Sequence, residues 1–376
     1  MGTPRSTRAG ARRDVRRTAP PQHRLASASA EGIRSPAVPS SPRPNDPSPD
    51  PARRAALLHL KLATLVREHL GHEVDAVPAS FARGGALTVA TTAWVLVDEQ
   101  PERGLGPALA WALRHGATEL HVLAESATGT LQRQADAVAL PVRAWHVAER
   151  TLLAAIAGPL PSRPELPAEH DALRDLIVLG GAEPVVEFGV LSGEVAGLEV
   201  CRVVADPTTG EIRLEVGVGA HDREAFQLLH GDRPSVEALA DVVGTVAGYR
   251  TNPARSHPLS RLAPERALRH RLVHSPGVLV IDGVPADEVV PVQPPVPRTN
   301  LKDPSPAVAV ATLGGRRVTV VCSVGIDLGV VPYATDARLA TGTDDVVVVL
   351  PERDAIEIQR LLAAATRPPV RVVPVA

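Results

Sequence analysis

The chain has 376 residues, 44 % of them apolar but only 2 % aromatic, enough for two or three domains with cores of Val, Leu and Ala. No apolar run approaches the ~20 residues of a membrane-spanning helix. The formal net charge of −2 hides an asymmetry: residues 1–54 hold eleven arginines against four acids, and the remainder holds 29 basic and 38 acidic residues. An acidic body repels phosphate backbones and so disfavours a nucleic-acid partner.

Residues 1–54 are rich in Arg, Pro, Ser and Ala, and such a segment is expected to be disordered. It lacks the apolar core of a secretory signal. From Pro51 the pattern changes. Leu57, Leu58, Leu62, Leu65, Val66 and Leu70 recur at helical spacing up to Gly71. Three strands follow ("EVDAVPASFA", "GALTVAT", "AWVLVDE"), then a helix to Gly116, the strand "ELHVLAE", the helix "GTLQRQADAVA" and the strand "VRAWHV". This N-terminal lobe spans 55–157. After a Pro-rich connector, a central module spans 165–275, with a helix near His170–Leu179, a hairpin and further helices. A Pro-interrupted strand pair or linker covers 276–305. The lobe 306–376 then repeats the earlier order of hairpin, helix, strand, helix and strand. "PVRAWHV" and "PVRVVPV" end the two series. Residues 85–147 and 306–375 are expected to be two copies of one unit, and the fold class is α/β.

The stretch Ser192–Gly219 in the central module raises the chemical question. Its two strand-like runs begin "Gly193-Glu194-Val195" and "Leu214-Glu215-Val216" and flank the turn Asp206-Pro207-Thr208-Thr209-Gly210. With a helix on either side, this αβββα order resembles the PD-(D/E)XK nuclease superfamily, in its small Holliday-resolvase-like branch. The resemblance implies a metal-dependent nuclease. An Asp and a Glu would hold Mg²⁺, and a Lys would polarise the attacking water. At the matching positions Glu215 is kept, but Ala196 stands for the Asp and Gly217 for the Lys. Under the nuclease reading the catalytic set is Glu169, Glu194, Glu199 and Glu215, with Glu194 and Glu215 as metal ligands; Glu183 is a further substitute for the helix acid. Read without the resemblance, Ile212, Leu214, Val216 and Val218 alternate onto one face of a half-buried hairpin, and Glu215 falls on the wetter face.

Other motifs have ordinary readings. Gly325-Ile326-Asp327-Leu328-Gly329 is similar to the first phosphate motif of actin-like ATPases, but Val330 follows where a Thr or Ser belongs; Asp327 is expected to turn the chain into a helix. Val97-Asp98-Glu99 ends a strand with Asp75 upstream, and its acids suit the helix that follows. His59, His69 and His72 lack partner acids at ligand spacing, and Asp222 is expected to cap a helix. Cys201 and Cys322 form no framework and are expected to be buried in a reducing cytosol. The leading expectation is a cytoplasmic, non-catalytic interaction or regulatory protein with a protein partner, no cofactor and no membrane. The alternatives are a divergent Mg²⁺-dependent nuclease and a small-molecule binder at the lobe junction.

Overall fold

The computed structural model describes residue 2 and residues 51–206, 208–230, 235–250, 257–298 and 305–376. Up to residue 50 the expected disordered tail lies outside the described residues, Gly2 aside. Pro51–Arg54 correct the expected boundary: they form the first turn of a helix, where a leading Pro is tolerated because its missing N–H has no partner there. Arg54 pairs with Asp98 at 2.5 Å and with Glu99 at 2.8 Å, so these two acids end their strand in an ion pair.

The chain is an α/β protein. Its first part runs α1 (Pro51–Leu70), β1 (Ala76–Phe81), β2 (Gly84–Val89), β3 (Thr92–Val97), α2 (Leu105–Arg114), β4 (Glu119–Ala124), α3 (Thr128–Ala135), β5 (Val142–Ala148) and β6 (Thr151–Ala154). The six strands form one sheet in chain order. β1, β2 and β3 pair antiparallel, and β3, β4 and β5 pair parallel. The parallel strands carry continuous apolar runs because both faces are covered. Leu62, Leu65 and Val66 of α1 pack on one face with Trp94, Leu123 and Trp145; α2 and α3 cover the other.

The last part runs β11 (Val280–Ile281), β12 (Val284–Pro285), β13 (Glu288–Pro291), β14 (Ala307–Leu313), β15 (Arg316–Cys322), α10 (Val330–Thr341), β16 (Asp345–Pro351), α11 (Glu357–Ala364) and β17 (Arg371–Val375), after the central elements α4–α9 and β7–β10 given below. Strands β13 to β17 form a sheet in chain order, again with two antiparallel pairings followed by two parallel ones. The stretch expected as a Pro-interrupted strand pair or linker thus supplies the hairpin β11–β12 and the edge strand β13, and its prolines are tolerated because an edge leaves one row of N–H groups unpaired.

Helices α2, α3, α10 and α11 meet between the two sheets in one apolar core that includes Leu109, Leu131, Val331 and Leu362. The backbone joins the halves reciprocally. Val138 bridges to Thr366; Ala139 N–H donates to Ala365 O at 2.6 Å and Arg367 N–H to Ala137 O at 2.7 Å. Each bridging residue lies three positions before a Pro-Val-Arg triplet. Arg133 of α3 makes a bidentate pair with Asp336 of α10, at 2.7 and 3.1 Å.

The central part comprises α4 (Ala168–Asp171), α5 (Arg174–Leu179), β7 (Glu183–Glu187), β8 (Val190–Val195), β9 (Leu198–Ala205), β10 (Ile212–Val216), α6 (Ala220–His230), α7 (Ser235–Arg250), α8 (Pro258–Arg261) and α9 (Pro264–His274). Its sheet is a four-stranded antiparallel meander, β7 to β10, one strand more than the αβββα expectation. The added hairpin turns at Ala196-Gly197, both at positive φ (46° and 77°), the geometry of the tightest hairpin loops. Ile177 of α5 and Leu239 and Val246 of α7 seal one face of this sheet. Helix α9 has two buried sides. Leu268 and Leu272 lie under the C-terminal sheet, while Arg266 and Arg269 reach the central sheet. Among the described residues no helix is long and apolar enough to cross a membrane.

Candidate functional site

The acids singled out by the nuclease resemblance meet arginines. Glu194, on β8, is fully buried and is bonded by Arg266 and, at 3.2 Å, by Arg269 Nη2. Burial alone would raise its carboxyl; the charges of Arg266 and Arg269 outweigh that and hold it below the usual range. Glu199, on β9, takes both Arg202 Nε (3.0 Å) and Nη2 (2.8 Å) and also Arg223 Nη1 (2.9 Å). Glu215, on β10, accepts from Arg213 Nη2 at 2.9 Å, with Arg223 Nε 3.8 Å away. Glu169 is exposed on the short helix α4. Glu194 and Glu199 are cross-strand partners at a register shift, and Glu215 lies opposite Arg202. The sheet thus gathers three of the four acids but interleaves them with guanidinium groups.

The two departures from the nuclease pattern have local causes. Ala196 sits at the hairpin tip, where its carbonyl accepts from Arg250 Nε (3.2 Å) and Nη2 (2.6 Å). Gly197 beside it lies against α9: a Cβ there would stand 2.5 Å from the Arg266 carbonyl carbon and oxygen. This close approach sets the backbone of Arg266 beside the hairpin that carries Glu194. Gly217 has φ +139°, and a Cβ would come within 2.8 Å of the Arg223 amide nitrogen. Any larger side chain at this position, lysine included, collides with the first turn of α6.

Above this sheet opens a cleft of about 1000 Å³. Arg202, Arg223, Arg266 and Arg298 line it, with Glu187, Glu199 and Asp222 between them. Glu187 is bonded by Arg266, with Arg269 Nη1 3.7 Å from its other oxygen. The first turn of α6 forms another wall, and the positive end of its helix dipole adds to the guanidinium field. Asp222, expected as a cap, accepts from the Val218 N–H at 2.7 Å. A strap from the C-terminal part closes the rim with Pro297 and Arg298. It is tied to the β7–β8 turn by Gln293 Oε1, which accepts from the Phe188 N–H at 2.8 Å. Burial lowers the Arg298 pKa and that of Arg250, whereas the hydrogen bond to Glu199 raises that of Arg202.

Sequence reasoning missed these arginines. Arg266 and Arg269 occupy one face of α9 and Leu268 and Leu272 another, a pattern that reads as an ordinary amphipathic helix. Their acidic partners lie some 70 to 80 positions away, and no local spacing announces them.

The remaining candidates have structural partners. Asp327 accepts from Gly329 N–H at 2.9 Å and from Arg103 at 2.6 Å, which fixes the entry to α10. His69 packs edge-on against Trp94 and Trp145; His59 and His72 show no ligand cluster among the described residues. Both cysteines are buried, and burial pushes their thiols up to about 12. Among the described residues, the side chains whose ligand atoms converge within 4.8 Å are Glu183, His270 and His274, outside the nuclease-derived set of four acids. No protein-family model matches this chain, and neither a curated protein nor a solved structure matches it.

Proposed function

We propose that this chain is a non-catalytic binding protein whose central module receives an anionic small molecule or an acidic side chain of a partner. The observation that carries the reading is the lining of the cleft: four guanidinium groups along the wall of a pocket with volume for a small ligand. Guanidinium is the side chain suited to bidentate capture of carboxylate and phosphate. The ion pairs that hold Glu187 and Glu199 pre-position Arg202, Arg223 and Arg266, so little conformational entropy is lost on binding. The nuclease alternative asks for carboxylates free to take Mg²⁺, whereas Glu194, Glu199 and Glu215 are each engaged by arginine. The outer lobes are best read as two copies of one unit, longer than 85–147 and 306–375. Each runs helix, three antiparallel strands, helix, strand, helix, strand, counting α9 and β13 with the second; the hairpin β11–β12 is an addition to the second copy.

The test is a melting series with pyrophosphate, citrate and a neutral sugar at fixed ionic strength. The two anions are expected to raise the melting temperature and the sugar to leave it unchanged. Arg298→Ala, at the rim, is expected to weaken the anion effect. Equal response to all three compounds removes the binding reading. Mg²⁺- or Mn²⁺-dependent cleavage of branched or single-stranded DNA, abolished by Glu215→Ala, replaces it with the nuclease.

A further inference from the structure

Helix α9 carries two histidines one turn apart, His270 and His274, and both face Glu183 at the start of β7. His270 Nδ1 lies 3.4 Å and His274 Nε2 3.8 Å from the same oxygen, Glu183 Oε1. The two rings sit 4.0 Å apart between centroids. Ligands around a tetrahedral ion with bonds of about 2.0–2.1 Å stand roughly 3.4 Å from one another. One carboxylate–imidazole distance therefore matches the ligated spacing and the other exceeds it by a few tenths of an ångström, with all three ligand atoms within 4.8 Å of one another.

The hydrogen bond made by His274 fits the same arrangement. His274 Nδ1 is 3.0 Å from the His270 carbonyl oxygen. A carbonyl only accepts, so Nδ1 carries a proton, and in the Nδ1–H tautomer of the ring it is Nε2, the nitrogen facing Glu183, that bears the lone pair. Such a backbone bond on the far nitrogen is the usual way a protein orients a ligating imidazole. A lone pair and a carboxylate facing each other repel unless a positive charge, a proton or a metal ion, lies between them. The side chains of Glu183 and His274 are about half exposed (52 % and 56 %), which leaves solvent access and room for a further ligand.

We propose that Glu183, His270 and His274 form a Zn²⁺ site with an open coordination position that water fills. Two imidazoles and one carboxylate suit Zn²⁺ and its first-row neighbours, whereas Mg²⁺ and Ca²⁺ seek all-oxygen shells. The ion ties the last turns of α9 to the edge strand β7 and so braces the central sheet against the helix that also covers the C-terminal sheet. The site does not touch the arginine-lined cleft, and the proposal does not rest on the binding reading above.

The experiment uses the full chain, stripped with a chelator and titrated with ZnCl₂ against a chromophoric competitor, with melting followed in parallel. One equivalent is expected to bind tightly and raise the melting temperature, with no response to millimolar Mg²⁺. His274→Ala and Glu183→Gln alter half-exposed side chains, leave the apo fold in place by circular dichroism, and are each expected to weaken Zn²⁺ at least tenfold. Co²⁺ in place of Zn²⁺ is expected to give visible ligand-field bands that His274→Ala abolishes. Unchanged Zn²⁺ affinity in both variants, or no binding by the parent chain, overturns the proposal.

Discussion

Asp336 offers the sharpest test of how the two sheets are held together. It sits on α10 with its side chain 4 % exposed, and the side chain of its partner Arg133 on α3 is 9 % exposed. Its carboxylate accepts from Arg133 Nε (2.7 Å), Arg133 Nη2 (3.1 Å) and Gln134 Nε2 (2.9 Å). In Asp336→Ala the guanidinium stays buried with only the Gly158 and Pro159 carbonyls, at 2.7 and 3.0 Å, to accept from it. Breaking a buried pair from one side costs about 3–5 kcal/mol, a large share of the roughly 5–15 kcal/mol that holds a domain together. Urea unfolding followed by tryptophan fluorescence is the assay. All three tryptophans, Trp94, Trp111 and Trp145, lie in the N-terminal lobe, so a substitution in the C-terminal lobe reaches the signal only through the shared core. The midpoint is expected to fall substantially, while Arg133→Met/Asp336→Leu, which replaces the pair with apolar groups, is expected to lose much less. A loss under ~1 kcal/mol in the single variant, the value of an exposed pair, or a double variant as weak as the single one, refutes the reasoning.

Two further perturbations probe the same framework. His121 is buried; its Nδ1 accepts from Trp145 Nε1 at 2.7 Å, and Nε2 faces Glu119 at 3.2 Å. Burial lowers its pKa, and Arg143 and His69 reinforce the shift against the pull of Glu119. The folded pKa is below the unfolded value of about 6.5, so this stability is complete above that pH and falls by up to ~1.4 kcal/mol per unit as pH drops toward the folded pKa. Urea midpoints from pH 8 to 5 are expected to fall more steeply for the parent chain than for His121→Gln; parallel curves rule the assignment out. At Gly106 of α2, a Cβ would stand 1.9 Å from the Leu328 carbonyl oxygen. Because the obstacle is backbone, Gly106→Ala is expected to lose at least ~1–3 kcal/mol despite alanine's better helix propensity, and a more stable variant would contradict the close packing of the two lobes.

The α/β class and most elements of both outer lobes were legible because buried parallel strands write continuous apolar runs such as "AWVLV" and "DVVVVL". The hairpin β8–β9 was not. Its turn uses Ala196, a residue with no preference for positive φ, so "SGEVAGLEVCRVV" reads as one strand. The prolines around β13 left its stretch open between a strand pair and a linker, and β6 was hidden by being a short, largely exposed edge. Of the candidate site, the acids were visible as letters and their partners were not. A carboxylate's chemistry depends on what faces it, and Arg266, Arg269 and Arg223 reach Glu194 and Glu199 only through the fold.

Helix α9 connects these findings physically. Its Leu268–Leu272 side belongs to the outer layer of the C-terminal sheet, and its Arg266–Arg269 side holds the central acids. The hairpin tip at Gly197 rests on its backbone, and His270 and His274 meet Glu183 at its end. A close-packed helix moves as a unit because its contacts leave no slack. A ligand that pulls Arg266 further toward itself than its pairs with Glu187 and Glu194 allow must therefore either loosen those pairs or shift α9 against the C-terminal sheet. The buried charge of Glu194 makes the first route costly. The second would carry an event in the cleft to the edge of the two-lobed core, and an ion bound at Glu183, His270 and His274 would resist it.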